Sequence, residues 1–146
     1  HEELKRLGHG CITRHHVNHY LGFARNQQKL LLKYDPPRVK PLLYVYRVLL
    51  TGIHLMQTGE IEANLVKLNE RFALTHIDEL VHRKREGSED ERLTETDLDF
   101  HKSEFQRLEA TLEKAGQETT LPDQPTTRSK LNDLLVQIRL EYKPGL

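Results

Sequence analysis

Five polar side chains recur at helical spacing within an otherwise apolar stretch, residues 38–57. They are Lys40, Tyr44, Arg47, Thr51 and His54. Steps of four and three residues place all five on one face of a helix, a face called here the polar stripe. Lysine and arginine side chains bind anions, and a tyrosine hydroxyl can donate a further hydrogen bond to the same anion. The chemistry that this spacing predicts is anion binding.

The remainder of this stretch is Leu, Ile, Val and Met around most of the circumference, which predicts a buried central helix. A charge inside a protein core costs several kcal/mol unless it is paired. We therefore expect the polar stripe to have an anionic partner. Whether that partner is protein or ligand decides what the chain does.

The formal net charge of zero conceals an uneven distribution of charge. Residues 14–47 carry seven Lys and Arg against one acid, a balance of +6, whereas residues 48–146 carry 13 against 19, a balance of −6. A concentrated basic surface is typical of proteins that bind phosphates. The alternative is that the acidic part folds back and neutralises the basic segment.

Two interpretations of the polar stripe follow from this charge pattern. In the first, Lys40 and Arg47 form internal ion pairs with acids of later helices, such as Glu104 or Asp133. In the second, Lys40, Tyr44 and Arg47 converge on a phosphate, as their spacing allows. The phosphate interpretation is the one we favour.

The preceding helix adds a parallel basic row, Arg25, Lys29 and Lys33, joined to the stripe by the rigid corner at residues 35–37, Asp-Pro-Pro. Two basic helix surfaces that meet at such a corner form a groove suited to a triphosphate or a nucleic-acid strand. His19 is a further expected contact. The predicted phosphate- and nucleotide-binding residues are Lys40, Tyr44, Arg47, Arg25 and His19.

Periodicity and helix breakers predict an all-α fold, an irregular bundle of about five to six helices around the buried helix at 38–57. Gly59 is placed to end that helix as a C′ glycine. Thr75 and Asp78 form a capping-box-like pair, and Gly116 is placed to end a long amphipathic helix. The predicted helices span residues 14–34, 38–57, 75–85, 96–115 and 126–142, with 61–71 undecided.

The first predicted helix has an apolar side and a basic side. Leu21 and Leu32 are exceptions, because the wheel places them among the basic residues. The residues that share the apolar side are His16, Tyr20, Phe23, Ala24, Leu30, Leu31 and Tyr34.

Length and composition exclude several classes of protein. At 146 residues the chain is expected to form one domain with a real core. Cys11 is its single cysteine, which excludes a disulfide framework or a cysteine-based zinc site within the chain. No apolar run approaches the ~20 residues of a membrane span, and the first residues lack signal-peptide features, so we expect a cytoplasmic protein. Because the chain begins without Met, we expect that His1 is not its natural start.

Three segments resemble predicted nucleotidyltransferases of the DNA polymerase β superfamily: residues 16–25, 35–47 and 126–135. The second segment contains the motif Lys-Pro-Leu-x-Tyr-x-x-Arg at 40–47. The closest group is the one associated with RNA-repair ligases. The resemblance covers most of the chain, but only the helical C-terminal half of a full-length member.

This resemblance implies a helical domain that docks beside an N-terminal catalytic domain and helps to hold a nucleoside triphosphate or the acceptor strand, with RNA as the expected type of acceptor. It also implies Mg²⁺ and a nucleoside triphosphate (NTP) as cofactor and substrate, with the metal held by the catalytic domain.

Superfamily members bind their metal ions through an apolar-Gly-Ser turn followed by a strand that carries Asp-x-Asp. Gly87-Ser88 followed by Asp97-Leu98-Asp99 is a superficial match that we reject. Asp97 and Asp99 begin a segment with helical periodicity, where they point about 200° apart and cannot share a metal. We therefore expect no catalytic or metal-binding residues in this chain.

The histidines near the start of the chain allow other interpretations. His15, His16 and His19 lie within about one turn of each other, but no nearby carboxylate completes a metal site, so we expect them to be ordinary helix histidines. Arg14 and His19 also match the loose spacing of HEPN ribonucleases, helical proteins in which Arg stabilises phosphate charge and His acts as acid or base. The alternative function is thus a self-contained helical nucleic-acid-binding module or HEPN-like ribonuclease.

Overall fold

The computed structural model describes residues 10–34, 37–87 and 95–125. These ranges contain five α-helices and no β-strand, which confirms the predicted all-α class. The predicted helix at 126–142 lies outside the described residues, as do residues 88–94. The helices are α1 (His16–Leu31), α2 (Val39–Thr58), α3 (Leu65–Phe72), α4 (Thr75–Glu86) and α5 (Glu95–Glu118).

The chain divides into two compact units, residues 1–14 with 121–146 and residues 15–120. All five helices belong to the second unit. In the first unit, the Arg14 backbone N–H donates to the Pro122 carbonyl at 3.0 Å, and its guanidinium pairs with Asp123 at 3.2 Å. None of the described helices combines the length and apolarity that crossing a membrane requires.

Helix α2 is the centre of the second unit, as predicted, because it contacts each of the other four helices. Leu42, Leu49 and Ile53 along it are fully buried. Pro41 lies in the first turn, where its missing N–H would have no intrahelical partner. Gly59 follows the last turn at φ 77°, the left-handed conformation that glycine adopts without steric cost, so the predicted C′ glycine is confirmed.

The inner face of α1 differs from the predicted one. Leu21, Ala24 and Leu31 are buried, whereas Phe23 and Tyr34 are close to half exposed. The wheel was wrong about Leu21, Phe23, Leu30 and Tyr34 because α1 packs against both α2 and α5. That double contact centres the buried seam on Leu21, Ala24 and Leu31 and turns Phe23 outward.

Two predicted helix signals are also wrong. Helix α5 continues through Gly116 to Glu118, and a Cβ at Gly116 would lie only 2.9 Å from the Val17 side chain. That glycine is therefore a point of close helix packing and no stop signal. Thr75 does not cap α4, because the N-cap is Leu74 and no side chain caps it.

The α3–α4 corner is held instead by Asn69, which is buried. Its side-chain amide donates to the Leu74 carbonyl at 3.0 Å and to the Asp78 carboxylate at 2.9 Å. Its carbonyl oxygen accepts from the Leu74 N–H at 2.9 Å. One side chain thus satisfies backbone groups that the turn leaves without intrahelical partners.

A polar contact lies inside the apolar core between α2 and α5. The Tyr46 hydroxyl and His101 Nδ1 are 2.5 Å apart, and both residues are buried. Burial lowers the pKa of His101 to about 4, with a further lowering from the neighbouring His76. His101 is therefore neutral at pH 7 and able to share a hydrogen bond with Tyr46.

Gly52 on α2 generates the first testable prediction. A Cβ at Gly52 would lie 2.9 Å from Cβ and Cγ of Tyr20 and 3.1 Å from a Leu112 methyl. Because Tyr20 Cβ is tied to the α1 backbone, α1 would have to move. Gly52→Ala should lower the free energy of unfolding by about 1–3 kcal/mol, measured by urea denaturation.

Gly22→Ala in α1 is the matched control, since a Cβ there meets nothing within 4 Å. It should raise the unfolding free energy by about 0.5–1 kcal/mol through helix propensity. Equal and stabilising effects of the two substitutions would show that α1 does not pack closely over Gly52.

His101 generates a prediction about pH. In the unfolded chain its pKa is about 6.5, so between about pH 6.5 and pH 4 the unfolded state takes up a proton that the folded state does not. This group therefore lowers the unfolding free energy as pH falls through that window, by about 3 kcal/mol. His101→Gln should be less stable at pH 7 and should lose less stability on acidification. Parallel curves of unfolding free energy against pH for the wild type and His101→Gln would contradict the lowered pKa of His101.

Candidate functional site

A cleft of about 340 Å³ opens between α1 and α2, within the size range of small-molecule sites. We call it the α1–α2 cleft. It is lined by His19, Tyr20, Phe23, Tyr44, Arg47, Val48, Thr51 and Ala63. The structure therefore brings together three of the five residues predicted to bind phosphate, together with Thr51 of the polar stripe.

Helical periodicity places these side chains on facing surfaces. Tyr44, Arg47 and Thr51 follow each other at three and four residues along α2, and His19 and Phe23 lie four apart on α1. Gly52 lets α1 approach α2 closely, because Tyr20 packs where a side chain would otherwise be. The close approach at Gly52 thus helps to set the separation of the two helices at the cleft.

Aromatic rings and a cation form the mouth of the cleft. The Phe23 and Tyr44 ring centroids are 6.1 Å apart, with the planes inclined at 56°. Their side chains are 46% and 38% exposed. The Arg47 guanidinium lies 5.6 Å from the Tyr44 ring centroid, within the range of a cation–π interaction. The mouth therefore combines aromatic surface with a positive charge.

The cations of the polar stripe are not buried, contrary to our expectation. Lys40 and Arg47 are exposed, and neither forms an ion pair within the part of the chain that the structure describes. Glu104, one expected partner, pairs instead with Arg107 at 2.8 Å. The other, Asp133, lies outside the described residues. Lys40 is on the same face of α2 but does not line the cleft.

The last two residues of the polar stripe, Thr51 and His54, are less exposed than its cations. Thr51 is buried, and its hydroxyl donates to the Arg47 carbonyl at 2.6 Å within the same helix. His54 is half-buried, and its Nδ1 has no hydrogen-bond partner within residues 10–34, 37–87 and 95–125. Thr51 therefore contributes shape to the base of the cleft, with its hydroxyl hydrogen already used.

Arg25 is separated from the cleft. Its Nε lies 3.1 Å from Glu109 and a terminal nitrogen lies 3.3 Å from Glu113, both on α5. Arg25 lines a second cleft of about 460 Å³ between α1 and α5. The later acids thus neutralise this member of the basic row.

The remaining acidic and histidine clusters form no metal site among the described residues. Asp97 and Asp99 lie on helix α5, as predicted, and Asp97 is 3.8 Å from Arg83. The His16 and His19 rings are 5.5 Å apart, with His19 on the cleft side.

The pKa of Glu104 is lowered, mainly by its hydrogen bond to Arg107.

Sequence reasoning missed the aromatic residues that α1 contributes to the cleft. It assigned Tyr20 and Phe23 to the inner face of α1, whereas both line the cleft. The available signal was that His19 and Phe23 are one turn apart, so a cleft that contains one includes the other. No signal in the sequence indicated the Tyr46–His101 contact, because the two residues are 55 positions apart.

Residues 1–137 match the family model described as the RNA repair pathway DNA polymerase beta family, and the chain belongs to that family. The predicted resemblance to the DNA polymerase β superfamily is thereby confirmed. An uncharacterized protein of Methanocaldococcus jannaschii is 25% identical over 144 residues, which is 98% of this chain and 58% of the relative. The chain thus spans little more than half of that relative's length. No solved structure matches the chain.

The pairing of Arg25 predicts a small structural effect. Arg25→Ala removes two ion pairs between α1 and α5 in which the arginine side chain is about half exposed, so it should lower the unfolding free energy by about 0.5–1 kcal/mol. The loss should shrink at high salt because exposed charges are screened. Lys29→Ala on the same helix is the control, since Lys29 has no ion pair among the described residues. Identical salt-dependent losses in both variants would argue against the Arg25 pairs.

Proposed function

We propose that this chain is the nucleotide- and acceptor-binding helical domain of a nucleotidyltransferase that transfers a nucleoside monophosphate from an NTP. The observation that supports this most directly is Arg47 at the mouth of the α1–α2 cleft, exposed and without an acidic partner among the described residues. An arginine in that position offers a fork of donors to a phosphate.

Each proposed contact has a distinct role. Arg47 binds a phosphate oxygen pair, and the Tyr44 hydroxyl donates a further hydrogen bond. His19 lies across the cleft on α1 and can donate from its ring. Lys40 lies two turns before Arg47 on the same face and extends the positive surface along α2. Arg25 is left out because Glu109 and Glu113 already bind its guanidinium.

The implied Mg²⁺ does not fit the cleft. Magnesium binds carboxylates and other oxygen ligands, whereas the lining consists of aromatic, basic and apolar side chains, a threonine and an alanine. The acids that hold the metal therefore belong, in this proposal, to a catalytic domain N-terminal to this chain. The greater length of the M. jannaschii relative supports the presence of further sequence in such proteins. An RNA acceptor would lie along the same basic surface.

The proposal predicts that Arg47→Ala weakens nucleotide binding. ATP affinity, measured by titration calorimetry, should fall roughly ten- to hundredfold, because a hydrogen bond to a charged group is lost. Wild-type binding should weaken between about 50 and about 200 mM salt, and the variant should show a shallower dependence.

Arg85→Ala is the matched control, since Arg85 is exposed on α4 and does not line the cleft. It removes the same charge and should leave ATP affinity within about twofold. Circular dichroism should show unchanged helicity in both variants, because both side chains are exposed. Equal losses in the two variants, or no ATP binding by the wild-type chain, would contradict the proposal.

A further inference from the structure

Phosphate contacts give no role to the aromatic ring faces of the α1–α2 cleft. Phe23 and Tyr44 together expose a ring pair at its mouth, and Val48 and Ala63 add apolar surface to the lining. Large exposed aromatics next to a cation match the composition of surfaces on which unpaired bases stack. A site for phosphate alone would not need such a surface.

We propose that the α1–α2 cleft binds an unpaired nucleobase, stacked against Phe23 and Tyr44, with Arg47 at the phosphate attached to it. This inference rests on the proposed function and adds the nucleobase as a group that the cleft recognises. The shared chemistry is a base joined to a phosphate, which a free nucleotide or the end of a single RNA strand can supply. Charge complementarity favours this occupant, because Arg47 and Lys40 are exposed cations along this face of α2.

The ring geometry determines how the base can lie. A base sandwiched between two rings needs a separation of about 7 Å, two contacts of about 3.5 Å each. The Phe23 and Tyr44 centroids are 6.1 Å apart and the rings are inclined at 56°, so no base fits between them. The base therefore stacks on the exposed face of one ring while the other ring contacts its edge, an arrangement that aromatic groups favour.

The lining also predicts weak discrimination between bases. The Thr51 hydroxyl donates its hydrogen to the Arg47 carbonyl, and Val48 and Ala63 carry no polar side-chain atoms. The proposed function assigns His19, Tyr44 and Arg47 to the phosphate. The Tyr20 hydroxyl and the Thr51 oxygen are then the two polar side-chain groups of the lining that are left to read the hydrogen-bonding edge of a base. Stacking without edge readout tolerates any base, so ATP and UTP should bind within several-fold of each other.

The test compares ATP with inorganic tripolyphosphate, which carries the phosphates without a base. Titration calorimetry on the wild-type chain should show ATP binding roughly ten times tighter or more. Phe23→Ala should lower ATP affinity about five- to hundredfold and leave tripolyphosphate affinity unchanged. Phe23→Tyr keeps an aromatic face and should retain the wild-type preference for ATP.

Leu30→Ala is the matched control, because Leu30 is 44% exposed on the same helix and does not line the cleft. It should bind both ligands as the wild type does. Phe23 is similarly exposed, so its removal should leave helicity and unfolding free energy close to those of the wild type.

Equal affinity of the wild type for ATP and tripolyphosphate would overturn the base site and leave phosphate binding intact. Equal loss of both ligands in Phe23→Ala would also overturn it. Binding of neither ligand by the wild type would instead reject the proposed function itself. The two failures are therefore distinguishable.

A second arm identifies the source of the base, using a short single-stranded oligouridylate and an RNA duplex as competitors of ATP. Competition by the single strand but not by the duplex supports an unpaired base of a strand as occupant, because paired bases cannot stack on the rings. Absence of competition by the single strand assigns the site to the free nucleotide. Equal competition by strand and duplex would overturn base stacking, because it shows attraction to phosphates alone.

Discussion

The close approach of α1 to α2 at Gly52 is the contact on which the site depends. Tyr20 of α1 occupies the space that a side chain at Gly52 would fill, with 2.9 Å separating its Cβ from a Cβ built there. That contact brings His19 and Phe23 on α1 opposite Tyr44 and Arg47 on α2. Glycine, which weakens an isolated helix, is therefore used where packing of two helices needs its small size.

The acids of α5 divide the basic residues of α1 and α2 into two groups. Glu109 and Glu113 engage Arg25 on the side of α1 that faces α5. Arg47 lies on the α1–α2 cleft, where no described acid pairs with it. The expectation that later acids neutralise the basic segment is thus confirmed for Arg25, whereas phosphate binding by Arg47 stays a prediction. Position relative to α5, and not charge alone, separates a structural arginine from one that can bind an anion.

Much of the fold was predictable because its signals are local. The apolar circumference of α2 and the glycine at its end depend on a single helix, and both predictions are confirmed. The errors arose where a second helix decides the outcome. Gly116 lies in close contact with Val17, and the double contact of α1 with α2 and α5 turns Phe23 outward. Sequence periodicity identifies faces of helices, but it does not identify which neighbour covers each face.

The expectation that the cations of the polar stripe are buried was wrong because exposure depends on the length of each side chain as well as on its helix face. Arg47 and Thr51 lie four residues apart on the same face of α2, yet Arg47 is exposed and Thr51 is buried. A long side chain can lay its methylene groups along apolar surface and keep its charge in water, whereas a threonine stays beside its own backbone and bonds to it. The charge of Arg47 therefore needs no internal partner. In the proposed function, an arginine whose charge is already in water at the mouth of a cleft would meet a phosphate without first breaking an ion pair.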